Sequence, residues 1–308
     1  MPGEELVYHT IVPAVLSGAV QSVLFNPVDR ALYLRVHNRR SFLHASNWSS
    51  PFQGFSNAAT YRTLCAASYL FWQDTSKVYG MKHYSAFCED NPLTVQLSVG
   101  LVSGTFNGVC LNQLQNVKYR MWTDGEGSFR SVCRQMYRDA GIRVFFRGIK
   151  VCIARDALFG VVYETLRKAP PIVLDRLKIR PATMDTGSSS TVVQTQRATA
   201  VLASKDLSWD EFFFNLLAAV AASTISAPLN YCRNIIYGAP AKGCPLRTTQ
   251  LLTYLGKVTI RERSWRCRWR YLNAKLNIGW GSLRVGLGMA VGQYLFGEAK
   301  VLLHRLRK

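Results

Sequence analysis

The chain has 308 residues, carries 38 Lys and Arg against 18 Asp and Glu for a formal charge of +20, and is 48% hydrophobic with a mean hydropathy of +0.02. That is too polar for a bundle of helices facing lipid all round; it suits amphipathic membrane helices around a wet cavity, or a basic soluble protein. The charge predicts attraction to anionic lipid head groups, anionic solutes or nucleic acid, and its scatter over helix ends and short connections argues against a nucleic-acid module.

The N-terminus carries Glu4 and Glu5 and shows no basic start before an apolar run, so no cleaved presequence is visible. A first helix is predicted from Tyr8 to Val36, with Gly18 and Ala19 inside it and the run Pro27-Val28-Asp29-Arg30-Ala31-Leu32 near its end. Asn47-Trp48-Ser49 matches a glycosylation triplet, a weak signal. After Pro51-Phe52-Gln53-Gly54 a second helix is expected from Asn57 to Val78, ending in Gln73-Asp74-Thr75-Ser76-Lys77. The third, Val95 to Trp122, spaces Gly100, Gly104 and Gly108 four apart and closes on Gln113-Leu114-Gln115-Asn116-Val117-Lys118. Small residues at that interval let helix backbones approach closely.

An aromatic and basic segment from Phe129 to Asp139 leads into Asp139-Ala140-Gly141-Ile142-Arg143-Val144-Phe145-Phe146-Arg147-Gly148, and a fourth helix follows from Ile149 to Leu166 with Glu164 and Arg167 at its end. The stretch from Ile179 to Asp206 includes Thr186-Gly187-Ser188-Ser189-Ser190-Thr191 and has no helical period, which predicts a flexible linker. A fifth helix, Trp209 to Ile236, is rich in alanine and carries Pro228-Leu229-Asn230-Tyr231-Cys232-Arg233. A second aromatic and basic stretch, Leu251 to Trp269, precedes a sixth helix from Leu272 to Leu303. Such stretches belong at a membrane surface, and most of the six helices exceed the ~20 residues that cross a bilayer core.

The recurring pieces divide one domain, 1–308, into a first repeat at 8–80, a second at 91–170 and a third at 208–305, with the linker at 176–207. The eight cysteines fall singly, mostly in apolar stretches, and predict neither disulfides nor a metal site. No nucleophile with a placed base and no phosphate-cradling loop is present, so the chain is not expected to be an enzyme and no cofactor is implied.

The run Pro27-x-Asp29, its counterparts Gln113-x-Gln115-x-x-Lys118 and Pro228-x-Asn230-x-x-Arg233, and the acid-Gly-x4-aromatic-base-Gly pattern of Asp139 to Gly148 resemble the signatures of the mitochondrial carrier family. The resemblance covers nearly the whole chain. It implies an all-α membrane protein: six transmembrane helices in pseudo-threefold symmetry around a solute cavity, with short surface helices between the paired helices. It also implies kinks at Pro27 and Pro228, and one gate in which Asp29 meets Lys118, Gln115 meets Arg233, and Asn230 faces Leu32. A second gate would use Asp74 with Lys77, Glu164 with Arg167, and Lys300.

Cargo contacts are expected about two turns after the signature glycine. Seven residues from Gly54 is Tyr61, with Arg62 beside it; seven from Gly148 is Arg155, with Asp156 beside it. Only 16 residues separate Gly148 from Glu164 against 20 from Gly54 to Asp74, as if one turn were missing, and alignment from the far end selects Val151 and Cys152. In the third copy Tyr271 replaces the glycine, counting forward gives Ile278 and Gly279, and Arg284 is the nearest base. Arginines inside a membrane helix are costly unless they face water or pair, so Arg62, Arg155 and Arg284 are candidates for holding a carboxylate, phosphate or nucleotide. The expected function is a divergent carrier of the mitochondrial inner membrane moving a small anion by alternating access, with anionic lipids as neighbours. The altered gate charges leave an alternative: a carrier fold without transport, serving as a subunit of a larger membrane complex.

Overall fold

The computed structural model describes residues 12–38, 40–124, 128–177, 209–240 and 246–306, and all regular structure among them is helical. The long helices are α1 (Val12–Asn38), α2 (Phe55–His83), α4 (Pro92–Asp124), α6 (Ile149–Leu177), the successive pair α7 (Trp209–Ile225) and α8 (Ala227–Gly238), and α11 (Ile278–Leu306). The shorter ones are α3 (Ser85–Asp90), α5 (Phe129–Ala140), α9 (Thr248–Arg261) and α10 (Trp265–Leu276). Helices α1, α2, α4, α6, α7 and α11 each pack on the neighbours before and after, and α11 returns to α1, so the ring closes.

Two of the ring helices bury polar residues and expose apolar ones. On α1, Ser17, Ser22, Asn26 and Arg30 are buried while Val15, Leu16, Val20, Val23 and Leu24 are exposed; on α4, Ser103, Asn107, Asn112 and Gln115 are buried while Leu93, Leu97, Leu101 and Phe106 are exposed. This inverts the usual soluble pattern and fits helices that face lipid on one side and a wet interior on the other. Polar inward faces also dilute hydropathy: among the described residues, Pro92–Thr123 is the single helix long and apolar enough to cross a membrane on its own, and Phe212–Ile225 with Ala227–Gly238 qualifies as a second, bent by 63°.

That bend falls at Ser226, so the fifth helix expected from Trp209 to Ile236 is two helices, with Pro228 in the first turn of the second, where its missing N–H costs nothing. Pro27, in contrast, lies inside an unbroken α1. The ring's closest seam is α4 against α6. A methyl group built on Gly104 would stand 2.2 Å from the Asp156 carbonyl oxygen, and one on Gly100 would stand 2.3 Å from that of Gly160. The backbones are in contact there, as the glycine spacing predicts.

Helices α2, α6 and α11 each contain 29 residues, and each begins directly after a residue of positive φ: Gly54 (69°), Gly148 (75°) and Asn277 (56°). This corrects two sequence expectations. The fourth helix does not stop at Leu166, so no turn is missing and Glu164 is an acid placed one turn earlier on a helix of equal length. The sixth begins at Ile278, because residues Trp265–Leu276 form the separate helix α10. Surface helices join the second and third pairs, but between α1 and α2 the described chain has just a three-residue 3-10 turn, Ala45–Asn47. Arg30 anchors that short link from below, donating to Gln53 Oε1 (3.0 and 2.8 Å) and to the Ser49 carbonyl (2.6 Å). Asn47 is itself 1% exposed and donates to the Ser41 carbonyl at 2.8 Å, so the glycosylation triplet is a packing site. Of the expected linker at 176–207, residues 176 and 177 belong to α6 and the rest lie outside the described residues.

Candidate functional site

The ring encloses a cavity of about 310 Å³. The left-handed residues that start α2, α6 and α11 set the register of its wall. Seven residues beyond each stand Tyr61, Arg155 and Arg284, and all three line the cavity, with Arg62 and Asp156 one residue further on the first two helices. The count that gave Ile278 and Gly279 in the third copy began from Tyr271, whereas the backbone equivalent of the glycines is Asn277. An asparagine satisfies a left-handed position almost as well as glycine, and a scan for glycine passes over it.

The third and sixth positions of the odd-helix signatures, Asp29 and Leu32, Gln115 and Lys118, Asn230 and Arg233, all reach the same cavity. Their pairings differ from the expected gate. Asp29 binds Arg62 of α2 and Arg284 of α11, with Arg284 Nη2 donating to Oδ2 at 2.6 Å. Lys118 has no carboxylate within ion-pair distance among the described residues; its ammonium lies over the rings of Tyr61 (4.7 Å), Trp122 (5.0 Å) and Tyr119 (5.3 Å). Gln115 donates to the Tyr61 hydroxyl at 2.7 Å, and Arg233 donates to Asn230 on its own helix at 2.6 Å and lies 4.0 Å from Asp156. Asp156 accepts from Arg155 at 2.5 Å.

Five basic side chains (Arg62, Lys118, Arg155, Arg233, Arg284) face two acidic ones (Asp29, Asp156) in this space, a formal excess of three positive charges. Arg155 Nε and Arg233 Nε are buried donors without an acceptor among the described residues, so donor capacity remains there. Such an interior attracts anions, and low-dielectric walls strengthen the field.

Toward the ends of α1 and α4 the cavity is bounded by aromatic side chains: Tyr33, Tyr119 and Trp122 are 5%, 9% and 2% exposed. Their rings pack with centroids 4.8 to 5.6 Å apart, and Tyr237 of α8 lies 5.6 Å from Tyr119. Trp122 Nε1 donates to the Gln53 carbonyl at 3.1 Å. Tyr33, Tyr119, Trp122 and Asn277 line the cavity and are not revealed by the motifs; for the rings, the clue in the sequence is an aromatic residue directly after Lys118 and after Leu32. The cavity extends toward Gln21, Gln293 and Phe296 at the other end.

Lys77, Glu164, Arg167 and Lys300 do not line this space. Glu164 is fully buried and is held by Arg167 Nη2 at 2.9 Å and by the hydroxyl of Tyr69, a cavity residue, at 3.1 Å. Lys300 lies over the Phe296 ring at 4.6 Å. The Asp74 side chain lies outside the described residues.

The helices close into a ring around a charged cavity, with apolar side chains on the outer face of α1 and α4. Residues 89–169 match the family model described as mitochondrial carrier protein, so this stretch of the chain is similar to that family. A search of curated proteins finds no match to it.

Proposed function

We propose that the chain is a solute carrier of the mitochondrial inner membrane that moves a small anion by alternating access, with its six long ring elements crossing the bilayer in pseudo-threefold arrangement. The observation that carries this reading is the excess of three positive charges in a cavity closed round by helices. Tyr61, Arg155 and Arg284 share one register, seven residues after the left-handed start of three helices, and all three line the cavity, which supports contact with a solute from three walls. Guanidinium forks match carboxylate and phosphate oxygens, and the donors of Arg155 and Arg233 that find no acceptor among the described residues would supply hydrogen bonds to such a group. The aromatic layer at Tyr33, Tyr119 and Trp122 supplies the closure that the incomplete set of gate charges does not. Inner-membrane placement is suggested by the family model matched at residues 89–169, and anionic lipids suit the exposed Arg266, Trp269 and Arg270 of α10.

The test is uptake by liposomes containing the purified chain, screened against carboxylates, phosphates and nucleotides. Uptake of at least one anion is expected, with Arg155→Gln and Arg284→Gln each slowing it about tenfold or more, the loss of one charge-assisted contact. A folded protein that moves none of them defeats the proposal.

A further inference from the structure

Asp29 is the one cavity carboxylate held from two neighbouring walls. Helix α1 lies between α2 and α11 in the ring, and Asp29 reaches sideways to both. Its Oδ2 accepts from Arg62 and from Arg284, and its Oδ1 faces Arg284 Nε. Two guanidiniums on separate helices thus converge on one pair of carboxylate oxygens, the arrangement that recognises a carboxylate or phosphate. Arg62 and Arg284 are also the bases that sit eight and seven residues into their helices, at the height where a solute would be held. Lys118 opens on the same cavity and lies over three aromatic faces, with no carboxylate in ion-pair range among the described residues. The cavity therefore holds one carboxylate shared by two arginines of neighbouring helices and one ammonium with no carboxylate in ion-pair range among the described residues.

Building on the anion-carrier reading, we propose that Asp29 is an internal stand-in for the transported anion. It fills the Arg62 and Arg284 pair while the cavity is empty, yields that pair to an incoming carboxylate or phosphate, and passes to Lys118. The exchange ties solute arrival to a new contact between α1 and α4. It also sets specificity: a solute must be a better acceptor for two guanidiniums than a side-chain carboxylate, which favours groups with two or more negative charges. Charge is conserved at each arginine, so neither is left bare in the low-dielectric interior at any stage.

The probe is inorganic pyrophosphate, read through the thermal unfolding of the full chain in detergent, since a ligand of the folded state raises apparent stability by mass action. Asp29→Asn keeps the side-chain shape and removes the competing charge. Pyrophosphate is expected to stabilise this variant at concentrations about tenfold or more below those needed for the unaltered protein, a shift of the size that charge-assisted contacts supply, and adding Arg62→Gln is expected to abolish the gain. An equal response in the unaltered protein and Asp29→Asn, including no response in either, overturns the proposal. If Asp29→Asn does not fold, Lys118→Gln takes its place. With nowhere for Asp29 to go, pyrophosphate binding weakens by about tenfold more than it does in Arg233→Gln, which removes one cavity charge without removing the receiver. Equal effects of the two overturn the exchange. Absence of transport in liposomes would defeat the carrier reading alone, because these comparisons measure binding.

Discussion

Cys65 lines the cavity, where Asn107 Nδ2 points at its sulfur from 3.0 Å, and it can therefore report on the field inside. With five bases around it against two acids, an anionic methanethiosulfonate reagent should modify Cys65 about tenfold or more faster than a cationic one, after correction for their rates with free cysteine. Mass spectrometry locates the label, and Cys65→Ser removes it. The exposed Cys110 and Cys267 also react but lie outside the cavity, and burial pushes the Cys133 thiol on α5 above the ordinary cysteine value and slows it. Equal rates for both reagents would mean that the arginines are neutralised in the native protein. A second test concerns Asn277, whose φ is 56° and whose side chain joins two helices, accepting from Arg35 at 3.0 Å and donating to the Leu32 carbonyl at 3.2 Å. Asn277→Val places a β-branched residue in a left-handed conformation and removes both bonds, costing about 2–4 kcal/mol in thermal unfolding. Asn277→Gly keeps the conformation and loses the bonds alone, so it should fall well short of that cost.

At the scale of helices, the seam between α4 and α6 depends on the absence of side chains at Gly100, Gly104 and Gly160. Gly104→Leu forces the two backbones apart over the length of the seam, and overpacking of this kind costs about 1–3 kcal/mol. Gly256→Ala makes the contrasting case: it sits in helix α9 with nothing within 4 Å of a built Cβ, and it should stabilise the chain by about 0.5–1 kcal/mol. Chemical or thermal unfolding of the two variants checks both signs. The seam was legible in the sequence because glycine spacing reports the physical requirement itself. Helix ends were less legible. The start of α11 needs a left-handed residue, and Asn277 meets that need without resembling Gly54 or Gly148, so counting from Tyr271 missed Arg284 by six places. The signature positions Asp29, Gln115, Lys118, Asn230 and Arg233 line one cavity, while their pairings differ from those expected. Pairing depends on side-chain reach across helix seams, and Asp29 is nearer in practice to Arg62 and Arg284 than a scheme built on odd helices alone allows.

Over the whole molecule, an inward positive field is useful to a carrier just if the cavity is sealed at one end, since an open, charged bore would conduct ions. The described gate charges do not provide that seal: Asp29 is engaged with α2 and α11, and Lys118 rests on rings. On the carrier reading the seal falls to Tyr33, Tyr119 and Trp122, which join α1 to α4, with the Tyr33 hydroxyl bonded to Thr123 and Tyr237 bringing in α8. Aromatic packing gains about 0.5–1.5 kcal/mol per pair beyond its buried area, enough to hold a barrier shut and small enough for solute binding to reverse. Trp122 is the central piece, 2% exposed and in contact with both tyrosines. Trp122→Ala should cost about 3–5 kcal/mol, so the informative variant is Trp122→Phe, which keeps a ring, loses the bond to Gln53 and leaves a gap. In vesicles with the chain inserted in one orientation, an impermeant anionic thiol reagent should reach Cys65 from one face of the unaltered protein and from both faces of Trp122→Phe. Retention of one-sided labelling in a variant that elutes as a folded species would move the seal elsewhere along the cavity, and the other end, beyond Gln293 and Phe296, would then be the next place to probe.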